Sequence, residues 1–99
     1  MEKVYAVAIR WVGSAPNPNR IDQALSPVAD WFRYNAETWF VATNSPSLVQ
    51  DAVQRVLSTT DSVLVIGVDP RDAHGWAPPE MWNWLSTKRE PLVNALARG

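Results

Sequence analysis

The chain has no cysteine and a single histidine. The first absence excludes disulfide scaffolds, thiolate zinc sites and cysteine nucleophiles. The second excludes a metal site built on several imidazoles. Four glycines among 99 residues leave little room for a glycine-rich phosphate loop, and no such motif occurs. Charge is sparse and balanced, with 19% charged residues and a formal net charge of −1. A surface devoted to neutralising phosphates is therefore not expected, although a local basic patch is compatible with this balance. No stretch approaches the roughly 20 apolar residues that span a bilayer. Met1-Glu2-Lys3-Val4 carries no signal-peptide pattern and runs straight into an apolar segment. The expected location is the cytoplasm, with no membrane partner.

Apolar residues make up 46% of the chain, which excludes a disordered tail, and six tryptophans are the compositional oddity. A chain of this length buries roughly two-thirds of its unfolded surface, enough for one core without staples. One domain over residues 1–99 is expected, with a core at 4–69 and a tail at 70–99.

Val4 to Trp11 is β-rich and ends at the loop Gly13 to Asn19. Alternation turns Tyr5, Val7, Ile9 and Trp11 one way and Ala6, Ala8 and Arg10 the other. Ile21, Ala24, Leu25 and Val28 have helical spacing, which predicts a helix from Arg20 to about Ala29 with Asn19 as N-cap. Pro27 conflicts with that span, because a mid-helix proline loses a hydrogen bond. Trp31 to Tyr34 and Thr38 to Thr43 read as a hairpin. Asn44-Ser45-Pro46 starts a second helix, with Leu48, Val49, Ala52, Val53, Val56 and Leu57 on its apolar side. Ser62 to Asp69 is almost continuously apolar, which predicts a central strand covered on both faces. A helix at Glu80 to Ser86 and a short one at Pro91 to Arg98 complete the reading.

The order β-α-β-β-α-β plus a helical tail predicts an α+β, ferredoxin-like antiparallel sheet with both helices on one face. The other face then carries Ala6, Ala8, Arg10, Phe40 and Ala42. A solvated face should be polar, whereas small apolar residues let something pack closely. The candidates are a second sheet in a homodimer or the tail, with Met81, Trp82, Trp84 and Leu85.

Residues 30 to 43 read Asp-Trp-Phe-Arg-Tyr-Asn-Ala-Glu-Thr-Trp-Phe-Val-Ala-Thr. This is similar to the D-W-W-H-Y-(two or three residues)-T-W-L-V-x-T block of small bacterial proteins labelled SinR-like. The D-x-V-L-V-I strand (Asp61 to Ile66) and the tail, Gly75-Trp76 and Met81-Trp82-Asn83-Trp84-Leu85, agree in order. The resemblance covers most of residues 4–86 and implies a bacterial or phage origin. It also implies a fold relationship to the small CRISPR spacer-acquisition subunit and the VapD ribonucleases, ferredoxin-like homodimers that handle nucleic acid. In that wider group a Tyr-Asp pair ends the first strand and supplies facing aspartates. Here Ile9-Arg10 stands there, and no acid lies between Lys3 and Arg20. A cation repels a divalent ion, so no metal site of that kind and no cofactor are expected.

Arg10 is a candidate phosphate or carboxylate ligand, or a rim arginine paired with an acid such as Asp69. Arg33 and the tryptophans Trp31, Trp39 and Trp76 are candidate contacts for nucleobases or a planar ligand. Against that stands core packing, since indole buries a large area and needs one hydrogen-bond partner. Asp69, Asp72 and His74 are the catalytic candidates, read either as an acid–base cluster or as turn chemistry with an exposed histidine. Thr38 to Thr43 lacks the Gly-aromatic pattern of an RNA-recognition strand. The expected function is a small, non-enzymatic interaction protein, homodimeric through the open sheet face and contacting a further protein. The alternative is a nucleic-acid-binding or ribonuclease-like protein.

Overall fold

A computed structural model describes residues 2–13 and 15–97, with side chains as far as residue 88. The elements are β1 (Lys3–Arg10), α1 (Pro18–Leu25), β2 (Asp30–Arg33), β3 (Thr38–Thr43), α2 (Pro46–Gln54), β4 (Ser62–Val68) and α3 (Pro79–Ala97). The architecture is α+β: three helices and one open, four-stranded antiparallel sheet in the order β2-β3-β1-β4. Two units divide the chain. Residues 1–68 carry the sheet with α1 and α2; residues 69–99 carry a loop and α3.

In the first unit, alternation along the strands sorts the side chains. Val7 and Ile9 of β1 and Trp39 and Val41 of β3 share one core cluster with Ile21 and Leu25 of α1 and Val49 and Val53 of α2. Both helices thus draw on the same sheet face. Tyr5, Trp11, Val63 and Val65 pack against this core from the margins. Each fully buried aliphatic side chain contributes about 1.5–3 kcal/mol, so this cluster is the main stabilising body of the unit.

Local chemistry corrects several expected boundaries. α1 starts two residues earlier than expected, because Pro18 occupies its first turn, where a missing N–H costs nothing. The cap is therefore Asn17, whose side chain accepts from the Arg20 N–H (3.4 Å), and not Asn19. The helix ends at Leu25 rather than near Ala29, since Pro27 has no N–H to continue the ladder. Val28 and Ala29 instead donate their N–H groups to the Leu25 carbonyl. α2 starts at Pro46 as the proline predicts, but Ser45 makes no side-chain cap bond. Val56 and Leu57 lie beyond its end and still pack on the core.

β4 is an edge strand, not a central one. Val63 and Val65 face the core, whereas Leu64 and Ile66 are 58% and 49% exposed. A continuous apolar run has the same appearance in both places, because hydrophobicity along one strand does not fix its neighbours. In the second unit, α3 is one helix through Pro91, where two were expected. Proline's fixed φ is helical, and it forfeits a single hydrogen bond to the preceding turn. The expected end at Arg98 lies outside the described residues. Among the described residues no helix is long and apolar enough to cross a membrane.

Two loops of the first unit are tied together by Asp61. Its Oδ1 accepts from the N–H groups of Val12 and Gly13 (both 2.7 Å), and its Oδ2 accepts from Ser58 N–H (3.0 Å). The approach is close enough that a Cβ at Gly13 would run into the Ser58 and Thr60 hydroxyls. Asp61→Ala removes the acceptor of these backbone donors. It should lower unfolding stability by about 1–3 kcal/mol in a urea titration, with no change in m-value. An unchanged midpoint would mean that water replaces the carboxylate at no cost.

Candidate functional site

The face of the sheet opposite the helices is built from the even-numbered residues of each strand, of which Val4 and Ala42 are buried. Strand register sets Phe32, Phe40, Ala6 and Ile66 in one row, and Thr38, Ala8 and Leu64 in the next. Tyr34 adjoins the second row through its N–H to the Thr38 carbonyl (2.9 Å), and its ring meets Phe40 edge-on at 6.2 Å. The two rows are apolar but for the Thr38 and Tyr34 hydroxyls. Ala6 and Ala8 form a low floor beside the higher Leu64 and Ile66. Arg10, opposite Ser62, stands at the end of this surface, exposed and without an acidic partner among the described residues. The pairing of Arg10 with Asp69 expected from sequence is therefore not found. Asp69 instead holds Arg71.

The remaining candidates fall apart into local interactions. Trp39 is fully buried, and its indole N–H donates to Asp22 Oδ1 (2.8 Å). It offers no face to a ligand, so the assignment of Trp39 as a contact residue is corrected to core. The physical reason is its parity with Val41, which turns it under α1. Arg33 lies 3.4 Å from the other Asp22 oxygen and donates to Asn19 Oδ1 (3.3 Å), so its charge is neutralised within the hairpin–α1 junction. Trp31 donates to Ser26 Oγ (3.0 Å) and Trp11 to the Ala36 carbonyl (2.8 Å). Each of these three indoles has the single partner that a packed tryptophan needs.

In the second unit, Asp69 grips Arg71 through two side-chain nitrogens, at 2.9 and 2.8 Å, and also accepts the Arg71 N–H. That hydrogen bonding, and then the carboxylate charge, raises the Arg71 pKa above its ordinary value. Asp72 lies 3.5 Å from His74, and both are almost fully in water. The three catalytic candidates thus divide between two pairs that share no member. Among the described residues no group of three acids and histidines is arranged to hold a metal ion. Trp76 is 99% exposed and follows Gly75, whose positive φ suits glycine.

Sequence reasoning missed Asp61, read only as a turn residue, and the outward pair Leu64 and Ile66. The signal for the latter was present: Val63, Val65 and Gly67 alternate with Leu64 and Ile66, so one set had to face away from the core. Compared with protein-family models, with curated proteins and with solved structures, the chain finds no match.

The two kinds of tryptophan should separate in a stability measurement. Trp39→Ala should cost about 3–5 kcal/mol, through the cavity it leaves and the Asp22 oxygen stripped of its donor. Trp76→Ala should stay within about 0.5 kcal/mol of the parent. Equal losses on thermal unfolding would overturn this division.

Proposed function

We propose that the protein is a small, cytoplasmic, non-enzymatic interaction protein of ferredoxin-like fold, self-associating through the sheet face opposite its helices. The β-α-β-β-α-β order, the antiparallel strand order β4-β1-β3-β2 and the shared core of α1 and α2 support the fold reading. The similarity of residues 30–43 to the SinR-like block supports it as well, with the homodimeric habit of that group's fold relatives.

One observation carries the functional reading: Leu64 and Ile66 stand in water beside the Ala6–Ala8 floor. Large aliphatic side chains gain roughly 1.5–3 kcal/mol each on full burial. A floor of alanines lets a second sheet approach to the ~10 Å spacing of stacked sheets. A second copy presents the same ridge and floor, and an isologous contact sets each ridge against a partner surface of like chemistry. Arg10, at the end of the surface, suits a polar rim. Nucleic acid is the second reading, and it rests on that same exposed, unpaired Arg10.

Ala8→Glu puts a carboxylate at the middle of the floor without touching the helix-side core. Light scattering coupled to size exclusion should then give half the particle mass of the parent. A parent that stays monomeric at its highest soluble concentration would sink the reading. For the alternative, Arg10→Ala should abolish a salt-sensitive shift of single-stranded RNA while leaving the mass unchanged.

A further inference from the structure

We infer that β4 is a second self-association surface, whose free edge pairs antiparallel with β4 of another copy to continue the sheet. The two edges of the sheet differ in kind. β2 has four residues and carries a charge at each end, Asp30 and Arg33. β4 has seven residues, with no charge and no proline. It is in unbroken register with β1 from Val4↔Val68 to Arg10↔Ser62, with no bulge. Among the described residues, no backbone hydrogen bond reaches it from outside the ladder. Exposed edges present unpaired N–H and C=O groups, and proteins ordinarily blunt them with shortness, lysine, proline or a bulge. β2 is blunted by shortness and charge. β4 has none of these devices.

The occupant is a second copy because the strand is complementary to itself. A two-fold axis normal to the sheet at Val65 sets Leu64 of one copy beside Ile66 of the other, twice, on the open face. On the helix face it sets Val65 against Val65 and Val63 against Gly67. No charge enters these pairs within the strand, and the next pair outward at each end sets Asp61 against Asp69. Cross-strand pairs of this kind contribute about 0.2–1 kcal/mol each, beyond the backbone hydrogen bonds formed. Beside the start of β4 lies a cleft of about 300 Å³, whose lining includes Gln50 and Gln54 of α2 and Leu57, Ser58, Asp61 and Ser62. In this register the end of the partner's β4 arrives there, where the glutamine amides offer both donors and acceptors to its backbone.

The edge pairing stands on β4 alone, but its consequence for assembly rests on the face reading proposed above. The face contact has its two-fold axis in the plane between sheets, and the edge contact has its axis along the sheet normal. Where these two perpendicular axes intersect, they close into a tetramer of two continuous sheets, each with four plus four strands.

Gly67→Lys tests the edge separately. An added Cβ at Gly67 meets only the Tyr5 ring, at 3.7 and 3.9 Å, which is ordinary contact, so the variant should fold. Position 67 is on the helix-side parity, so the lysine leaves the open face untouched. The parent should scatter as a tetramer, Gly67→Lys and Ala8→Glu each as a dimer, and the double variant as a monomer. Gly67→Ala, which adds no charge, should keep the parent mass. Outward amides of residues 62–68 should exchange with deuterium at least tenfold faster in Gly67→Lys than in the parent. Equal mass and equal exchange in the parent and Gly67→Lys would overturn the edge inference. If Ala8→Glu alone then halves the mass, the face reading survives without it. The converse pattern, with Gly67→Lys alone active, removes the face reading and keeps the edge.

Discussion

The hydrogen bond from the Trp39 indole to Asp22 is the interaction on which the first unit turns. It is made by a fully buried side chain of β3 and a partly buried carboxylate of α1, at 2.8 Å. A buried indole without an acceptor would cost about 1–3 kcal/mol, and an unpaired buried carboxylate would cost more. The indole therefore requires the carboxylate. Their meeting fixes which face of α1 turns inward, and so places Ile21 and Leu25 over the sheet. Arg33 then joins Asp22 from the neighbouring strand. The hairpin, the helix and the core are in this way held to one mutual arrangement by three side chains. Ile9, whose N–H donates to the Glu37 carbonyl (2.8 Å), ties the turn of the same hairpin to β1.

Much of this was legible in the sequence, because it depends on period. The alternation in β1 sorted Tyr5, Val7, Ile9 and Trp11 from Ala6, Ala8 and Arg10. The 3.6-residue spacing in α2 marked Val49 and Val53, both fully buried. Proline punctuation was legible too, but only in part. Pro46 opened α2 as expected, whereas Pro18 started α1 earlier and Pro27 ended it sooner than its apolar residues suggested. Propensity favours the longer helix, but a missing N–H and a ring clash at Pro27 outweigh two more apolar contacts.

The parts that were not legible are those that depend on neighbours. Ser62 to Val68 carries no mark of whether one or two strands flank it. Trp39 and Trp76 have the same side chain and opposite surroundings, one under a helix and one in water. Composition counted six tryptophans but did not say which of them the core would take. Likewise Asp69, Asp72 and His74 are close in sequence and suggest a cluster. Arg71, lying between them, draws Asp69 into a two-pronged pair of its own. Asp61 escaped notice for a related reason: two of its donors, Val12 and Gly13, lie far away along the chain.

The surface that remains is aliphatic at Leu64 and Ile66 and aromatic at Phe32, Tyr34 and Phe40, and this bears on what it recognises. Trp76 is a lone, fully exposed ring on a loop where Asp69 and Arg71 pair with each other, so it has no built surroundings to orient a ligand. Leu64 and Ile66 project from a strand locked to β1 over its whole length. Their backbone positions relative to Ala6 and Ala8 are set by the pleat and need no ordering on association, so the entropy cost there is confined to side-chain rotamers. Leucine and isoleucine carry no hydrogen-bonding group and no face for base stacking. A rigid ridge of this chemistry is matched by another apolar sheet, or by the same strand in a second molecule. Among the described residues, Arg10 is the cation of this face, so the self-association proposed above draws on apolar contact more than on charge.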